Sequence, residues 1–534
     1  MTGARIDKAG IRLDRKRTVA FRFNGRSYQG FAGDTLASAV LAAGDTVLSR
    51  SWKYHRPRAI LTCGVEEPAA LVQLETGAWT IPNAKMPEVE LYEGLQAESA
   101  LPWPSPGKHF FSVNRWFTPL FPAGFYYKTF MWPAKAWLWY ERFIRKAGGL
   151  GAAPTEEDQD RYVQQNIHCD VLVAGGGITG LAAALAAGRS GARVILAELG
   201  AHLGGSAHRL QGTINSKSAR EWVRDAQQEL AQMPEVRIIR RGVVFGYHDH
   251  NFLTIRESLT DHLPLAERKG FRERLWRVRA SQVVLATGAH ERPLVFGNND
   301  LPGVMLSSAL ADYAELYGVR VGRQIVLVTT NDSAYTDARL LQAVGATVTV
   351  VDTRAGEPAA GSRAQLAQKD GITVVRGFVP VLAKGAGAVS SLVLRQMVDD
   401  KASGEERELA CDAIGMAGGW NPAIHLYSHS GGKARWDDAA VCFKPGMAMP
   451  GQASAGACNA SFGIGTSLDE GSLAGAAAAT AAGFAARAEA YAVDEMALEP
   501  SGRFWIAETG QPLSRRVKAF VDYQNDVSAS DIEL

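Results

Sequence analysis

Asp170-Val-Leu-Val-Ala-Gly175-Gly-Gly177-Ile-Thr-Gly180 is an apolar run that ends in a glycine-rich loop, and a helix-forming stretch, Leu181 to Ser190, follows it. This order of strand, G-x-G-x-x-G loop and helix is typical of a Rossmann nucleotide-binding unit. Gly175 permits the tight turn, Gly177 lets a pyrophosphate approach the backbone, and Gly180 lets the helix pack closely on the strand. We therefore predict that the start of this helix offers free N–H groups to a dinucleotide.

The residues that follow extend the predicted site. A second strand, Arg193 to Ala197, ends at Glu198, whose carboxylate is placed to accept hydrogen bonds from adenosine ribose hydroxyls and would repel the 2′-phosphate of NADP. A glycine pair and an Ala-Thr-Gly turn follow in the order found in flavoproteins with two dinucleotide domains. A glycine-rich turn without a ligand is the alternative interpretation. The predicted cofactor-binding residues are Gly175, Gly177, Ile178, Thr179, Gly180, Glu198, Gly204, Gly205, Ser206, Val244, Ala286, Thr287 and Gly288.

The identity of the dinucleotide is open between NAD and FAD. FAD-binding members of this class usually carry a Gly-Asp near a C-terminal glycine-rich motif. The corresponding region here, Gly456 to Ala460, contains no Asp. This difference weakens FAD and favours NAD.

A second βαβ unit begins at Gln324. Its loop, Thr329 to Ala334, reads Thr-Thr-Asn-Asp-Ser-Ala where such proteins commonly have Gly-Gly-Gly-Asp-Ser-Ala. The two threonines carry branched Cβ atoms where a pyrophosphate needs bare backbone. We therefore predict a degenerate nucleotide-binding domain that has lost its nicotinamide cofactor.

The first hundred residues have the strand and helix pattern of a β-grasp domain, as in plant-type ferredoxins. A plant-type cluster needs four cysteine thiolates, three of them in C-x₄-C-x₂-C spacing. Cys63 begins this spacing, but Pro68 and Leu71 occupy the next two positions. We therefore predict a cluster-free domain, without a 2Fe-2S cluster, that serves a structural role or a subunit contact.

The predicted fold class is α/β, a Rossmann fold like that of flavoproteins with two dinucleotide-binding domains, preceded by the β-grasp domain. The predicted divisions are the β-grasp domain at 1–98, an aromatic and proline-rich connector at 99–165, the dinucleotide-binding domain at 166–314 and 412–490, the degenerate domain at 315–411, and a C-terminal extension at 491–534.

Composition excludes several function classes. The net charge is +2 and no sustained basic stripe occurs, so nucleic acid is not an expected partner. The five cysteines are far apart without a C-x-x-C pair, which argues against structural zinc and a dithiol centre. The N-terminus has no apolar leader and no stretch predicts a membrane span, so we expect a cytoplasmic protein. We assign no metal site, and the catalytic residues are unknown.

Several long segments together resemble the α subunit of heterotetrameric sarcosine oxidase. They are Ser51–Arg58, Glu66–Pro68, Pro119–Pro133, Ala286–Pro293, Asn298–Asp300, Pro302–Met305 and Lys518–Asp526. The resemblance covers essentially the whole chain.

The resemblance implies a subunit of a flavoenzyme complex that demethylates sarcosine to glycine. In such a complex FAD in the β subunit takes the hydride, FMN at the α/β interface passes electrons to oxygen, and a folate accepts the one-carbon unit. It also implies NAD at the Gly175 loop, and small γ and δ subunits as further partners. Related α subunits serve dye-linked proline dehydrogenase, opine oxidase, hydrogen cyanide synthase and N-methylglutamate dehydrogenase, so the amine and the electron acceptor stay open.

The family's α subunit continues past the position of Leu534 into a folate-binding, aminomethyltransferase-like domain. Truncation, a split gene and a folate-free complex are all compatible with this difference. Two other functions compete with the amine-oxidase subunit. One is a self-sufficient FAD-dependent oxidoreductase, and the other is a scaffold subunit whose dinucleotide is structural.

Overall fold

The computed structural model of the protein describes residues 4–100, 132–399, 401–507 and 517–532. Residues 101–131 of the predicted aromatic connector, which include most of the segment Pro119–Pro133, lie outside the described residues.

The N-terminal domain is a mixed five-stranded sheet. In sheet order its strands are Arg26–Ala32, Asp14–Phe23, Gln96–Ser99, Leu71–Leu74 and Ile81–Lys85. The first hairpin turns at Asn24 and Gly25, whose φ angles of 49° and 76° suit a two-residue turn. Leu36–Ala42 is a fully buried helix that belongs to the core of this domain. The predicted β-grasp arrangement is confirmed.

The Gly175 loop lies at the edge of a seven-stranded sheet. In sheet order its strands are Val236–Ile239, Val194–Ala197, Tyr162–Ala174, Glu273–Leu285, Phe252–Ser258 and Gly242–His248, and Gln452–Ser454 pairs with Glu273–Leu285. The first four strands are parallel, so their carboxyl ends meet at one edge of the sheet. This edge is where α/β proteins bind ligands.

Two helices pack closely beneath this edge. The helix Ile178–Gly188 follows the loop. The helix Ile464–Ala481 packs against this first helix so tightly that a Cβ on Gly475 would lie 2.1 Å from the carbonyl oxygen of Ala183. Small residues permit this approach and fix the start of the first helix against the sheet. Within the described ranges, no helix has the length and apolar character needed to cross a membrane.

A second, all-parallel sheet has five strands. In sheet order they are Val304–Leu306, Ala413–Ala417, Gln324–Thr329, Thr347–Asp352 and Thr373–Arg376. Residues from both sides of the predicted boundaries at 314/315 and 411/412 therefore share one sheet, because strand pairing joins segments that are distant in sequence. The antiparallel strands Phe378–Lys384, Ser391–Val398 and Lys401–Ala410 form a separate sheet.

The remaining elements are shorter or lie at the periphery. The other helices are Trp137–Gly148, Ala219–Gln232, Ser307–Tyr317, Ser333–Ala343, Arg363–Lys369, His425–His429 and Ala529–Ile532. Single 3₁₀ turns are Gly77–Trp79, Met86–Glu88, Ala134–Ala136, Gly205–His208, Leu265–Glu267 and Gly456–Asn459. The small sheets pair Ser49–Arg50 with Pro57–Arg58, Lys217–Ser218 and Val493–Asp494 with Thr213–Ile214, Ala289–Glu291 with Trp420–Pro422, Ala434–Asp437 with Cys442–Pro445, and Phe520–Asp522 with Val527–Ser528.

Candidate functional site

A cavity of about 690 Å³ opens at the carboxyl edge of the seven-stranded sheet. It is lined by twelve of the predicted cofactor-binding residues, namely Gly175, Gly177, Ile178, Thr179, Glu198, Gly204, Gly205, Ser206, Val244, Ala286, Thr287 and Gly288. Gly180 lies behind them, where a Cβ would stand 1.8 Å from the carbonyl oxygen of Gly175. The fold therefore brings segments from four parts of the sequence to one surface, while Gly180 serves the packing of helix on loop.

The loop itself is shaped by two glycines with different roles. Gly175 has a φ of +106°, and a Cβ there would lie 2.2 Å from the carbonyl oxygen of Ala286. A Cβ on Gly177 would have no atom within 4 Å beyond its chain neighbours, because this residue faces the open cavity. Gly204 donates its N–H to the carbonyl oxygen of Gly176 at 2.8 Å, which joins the second glycine turn to the loop.

The helix Ile178–Gly188 begins at the cavity without a side-chain cap. Its N-cap residue is Gly177, which has no polar side chain to offer. The N–H groups of the first turn of a helix have no partner within the helix and carry its positive dipole end. This N-terminus is therefore suited to the phosphates of a dinucleotide.

Of the other helices that start at the cavity, two have N–H groups of their first turn bonded by side chains of this chain. The Ser333 N–H and hydroxyl donate to Asn331 Oδ1 at 2.9 and 2.7 Å. At the start of Ile464–Ala481, Glu495 accepts hydrogen bonds from the N–H groups of Ile464 and Gly465 at 2.9 and 2.8 Å. Among these three helices, the one that starts at Ile178 is the one left open to an anionic ligand.

Glu198 stands at the end of its strand, as predicted, and forms part of the cavity wall. Its two carboxylate oxygens accept hydrogen bonds from the N–H groups of Gly176 and Gly200, both at 2.8 Å. Burial raises the pKa of this carboxyl group, and the two N–H groups oppose the shift. Glu198 thus holds the loop in shape. Each oxygen retains lone-pair capacity for a ribose hydroxyl, and that role stays a prediction.

The Ala-Thr-Gly turn is fixed beside the loop by buried contacts. The Thr287 hydroxyl donates to the carbonyl oxygen of Ala423 at 2.7 Å and lies 3.1 Å from Cys458 Sγ. Near Cys458, Glu470 accepts hydrogen bonds from the Gly456 N–H at 2.8 Å and from the Asn459 amide at 3.3 Å. Sequence reasoning missed Glu470, because nothing local connects a helix residue to a loop that precedes it by more than ten positions.

The cavity is also lined by His290, His425 and His429, together with Val65 from the β-grasp domain. His290 Nδ1 lies 3.9 Å from a carboxylate oxygen of Glu66. Burial lowers the pKa of His290, the charge of His425 adds to this shift, and Glu66 opposes it. His425 and His429 carried no sequence motif. Among the residues that the structure describes, no group of three His, Cys, Asp or Glu side chains could hold a metal ion.

Arg292, close to the Ala-Thr-Gly turn in sequence, does not line the cavity. Its guanidinium donates to the carbonyl oxygens of Gly418 at 2.8 Å and Val441 at 3.2 Å. This residue therefore packs loops together behind the site.

A buried charge cluster joins the cavity wall to the second sheet. Arg209 directly follows the second glycine turn and forms ion pairs with Asp312 at 2.7 Å and Asp337 at 3.1 Å. Glu291 accepts the Ser308 N–H through Oε2 at 2.8 Å, whereas its buried Oε1 has no described hydrogen-bond partner. Burial, reinforced by the nearby charge of Asp337, raises the pKa of Glu291 to about 8.

We expect the Glu291→Gln variant to change how stability depends on pH. A raised pKa in the folded state stabilises the protein below the unfolded pKa of about 4.3, and this contribution is lost as the pH rises towards 8. The neutral amide has no such loss. The free energy of unfolding of the variant, measured relative to that of the wild type, should therefore increase between pH 5 and 8 by up to about 1.4 kcal/mol per pH unit.

Urea unfolding at pH 5, 6.5 and 8 measures this difference. The control is Glu267→Gln, at an exposed glutamate, which should unfold in parallel with the wild type at every pH. Parallel curves for the wild type and Glu291→Gln would show that Glu291 is ionised in the folded protein throughout this range.

Two family models match the chain. The model described as a 2Fe-2S iron-sulfur cluster binding domain matches residues 16–101. The model described as pyridine nucleotide-disulphide oxidoreductase matches residues 169–443, which is just over half of the chain.

The first match contradicts the prediction of a cluster-free N-terminal domain, and that prediction is wrong. It rested on cysteine spacing alone, whereas the family model matches the whole domain. Cys63 is the one cysteine of this range, and burial raises the pKa of its thiol well above the ordinary value. The residues present do not complete a set of four cysteine thiolates, so a cluster bound here would need other ligands.

Relatives and a solved structure extend the comparison to the whole chain. Sarcosine oxidase subunit alpha of Rhizobium meliloti (strain 1021) is 42% identical, covering 100% of this chain and 53% of the relative. The subunit of the same name from Corynebacterium sp. (strain P-1) is 36% identical, covering 98% and 50%. The predicted resemblance is confirmed, and the chain spans about half the length of the curated relatives it matches.

Among solved structures, L-proline dehydrogenase from P. horikoshii matches with a TM-score of 0.59 and 18% identity. The match covers 90% of this chain and 77% of that chain, so the two share a fold.

Proposed function

We propose that this chain, which belongs to the pyridine nucleotide-disulphide oxidoreductase family, is the α-type subunit of a multi-subunit, flavin-dependent secondary-amine oxidase. Sarcosine is the favoured substrate, because the relatives that match the whole chain are sarcosine oxidase α subunits. The partners are a flavin-bearing β subunit and small γ and δ subunits. An α subunit of a proline, opine or N-methylglutamate dehydrogenase is the second candidate, which the fold shared with L-proline dehydrogenase favours.

One observation supports a dinucleotide at the Gly175 loop. The helix that starts at Ile178 is uncapped and opens into the cavity beside Glu198, whereas the two neighbouring helix N-termini are capped by Asn331 and Glu495. NAD is the favoured ligand. The N–H groups at Ile178 and Thr179 would bind its pyrophosphate, and Glu198 would receive the adenosine ribose.

NAD supplies a hydride acceptor when it is bound. We assign the oxidation of the amine to the flavin of the β subunit, with this chain binding its dinucleotide without turning it over. Among the residues that line the cavity, the pKa of His290 is lowered by burial and by the charge of His425, against the opposing charge of Glu66.

The test is the mass of the small molecule released when the purified chain is denatured, combined with an assay of sarcosine oxidation. We expect NAD, no flavin absorbance, and turnover that appears only when a flavin-bearing partner is present. Release of FAD and turnover by the chain alone would instead establish a self-sufficient oxidoreductase. Loss of assembly with the partner on complete removal of the dinucleotide would favour the scaffold subunit, whose dinucleotide is structural.

A further inference from the structure

The chain contains two Rossmann units, and the nucleotide position of each is bounded by the same two features. One is the loop after the first strand, and the other is the acidic end of the second strand. In the first unit the space between the Gly175 loop and Glu198 is part of the open cavity. In the second unit the corresponding features are the loop Thr329–Ser333 and Asp352, which ends the strand Thr347–Asp352.

In the second unit residues 498–502, which we call the inserted segment, lie against both features. The outer side of the segment and of the loop, at Glu499 and Asp332, lines the same cavity. Its backbone is bound to the loop at two points. The Glu499 N–H donates to Asp332 Oδ2 at 2.7 Å, and the Gly502 N–H donates to the carbonyl oxygen of Thr330 at 2.6 Å. The segment approaches so closely that a Cβ on Gly502 would lie 3.0 Å from the Arg354 side chain.

The inserted segment is also bound to the region that follows the second strand. Arg354 donates to the carbonyl oxygen of Pro500 at 3.1 Å, and Arg376 pairs with the Glu499 carboxylate at 3.3 Å. The other oxygen of Glu499 accepts the Ala359 N–H at 3.3 Å. The segment therefore bridges the two features between which an adenosine would lie.

Asp352, at the acidic end of the second strand, is bound by side chains of this chain as well. Asp352 is completely buried and pairs with Arg354 at 2.8 Å. It also accepts the Tyr335 hydroxyl at 2.6 Å and lies 3.7 Å from Arg376. Asn331 accepts the Ser333 N–H at the start of the following helix, so the acidic strand end and the first N–H of this helix are both bonded within the chain.

We propose that residues 498–502 are an intramolecular occupant of the nucleotide position in the second Rossmann unit. The segment closes that unit to NAD(P) and ties the C-terminal part of the chain to the second sheet. This inference is independent of the ligand at the Gly175 loop, because it concerns a different loop and different contacts. The side chains of Thr330 and Asn331, which replace glycine in the degenerate loop, donate to the carbonyl oxygen of Ala417 and fix the loop that the segment contacts.

Hydrogen–deuterium exchange on the full chain, saturated with NAD, tests the proposal. We expect slow exchange in peptides covering residues 496–504, because the Glu499 and Gly502 N–H groups are bonded to buried acceptors. Addition of millimolar NADP⁺ should leave exchange unchanged at residues 329–337 and 347–355. Fast exchange at 496–504, or protection of the loop by NADP⁺, would overturn the proposal.

The Glu499→Ala variant adds a second test. Loss of the charge-assisted bonds to Arg376 and Ala359 should speed exchange at residues 496–504 and 352–359 about tenfold or more. The matched control is Glu357→Ala, at an exposed glutamate in the same region, which should exchange like the wild type. Equal exchange in Glu499→Ala and the wild type would count against the proposal.

Discussion

Replacement of Gly177 with valine is expected to weaken dinucleotide binding roughly 100-fold while leaving the fold intact. The φ of Gly177 is −69°, which any residue adopts, and a Cβ there would enter open space among the described residues. The added methyl groups would fill the space in front of the uncapped helix N-terminus. Loss of two charge-assisted hydrogen bonds to phosphate corresponds to about 3 kcal/mol or more, a weakening of roughly 100-fold.

Calorimetric titration of the ligand-free chain with NAD measures this effect. Gly465→Ala is the matched control, because its Cβ would find only ordinary contacts at 3.5 Å and beyond, and binding should be unchanged. The Gly180→Ala variant should differ from both Gly177→Val and Gly465→Ala in its folding. Its Cβ would lie 1.8 Å from the carbonyl oxygen of Gly175, so we expect misfolding. Tight NAD binding by the Gly177→Val variant would place the pyrophosphate elsewhere.

Replacement of Asp526 with asparagine is expected to cause a large loss of stability. Asp526 is completely buried, pairs with Arg58 at 2.5 Å and accepts the Lys53 N–H at 2.9 Å. Arg58 is 2% exposed, and its next carboxylate, Asp300, is 3.6 Å away and also binds Arg56. Removal of one partner from a buried pair leaves an uncompensated charge and costs about 3–5 kcal/mol.

Asparagine is chosen because it tolerates the φ of +50° at this position, so the experiment isolates the charge. Thermal and urea unfolding measure the loss. The control is Glu405→Gln, which removes an exposed pair with Arg407 and should cost no more than about 1 kcal/mol. A loss for Asp526→Asn as small as that of the control would falsify the view that this cluster holds the C-terminal segment on the β-grasp domain.

Family comparison corrected one inference that the cysteine pattern had supported. Ligand spacing led to a cluster-free domain, yet the domain matches a 2Fe-2S family over residues 16–101. The first hairpin of the sheet did follow from the sequence, since the Asn24-Gly25 turn and the alternating apolar residues are local signals. The absence of the cysteine motif and membership of the 2Fe-2S domain family are separate properties, so the cysteine spacing alone does not decide whether the domain belongs to that family.

The sequence by itself determined the Gly175 loop, the helix after it and Glu198, because strand, turn and helix preferences act between residues near one another in the chain. The tertiary structure alone decided which helix N-termini are capped, since Glu495 reaches Ile464 from 31 residues away. It also decided that residues 498–502 fill the second nucleotide position, 167 residues beyond Asp332. Such contacts depend on the packing of whole sheets, and no local pattern of residue types encodes them.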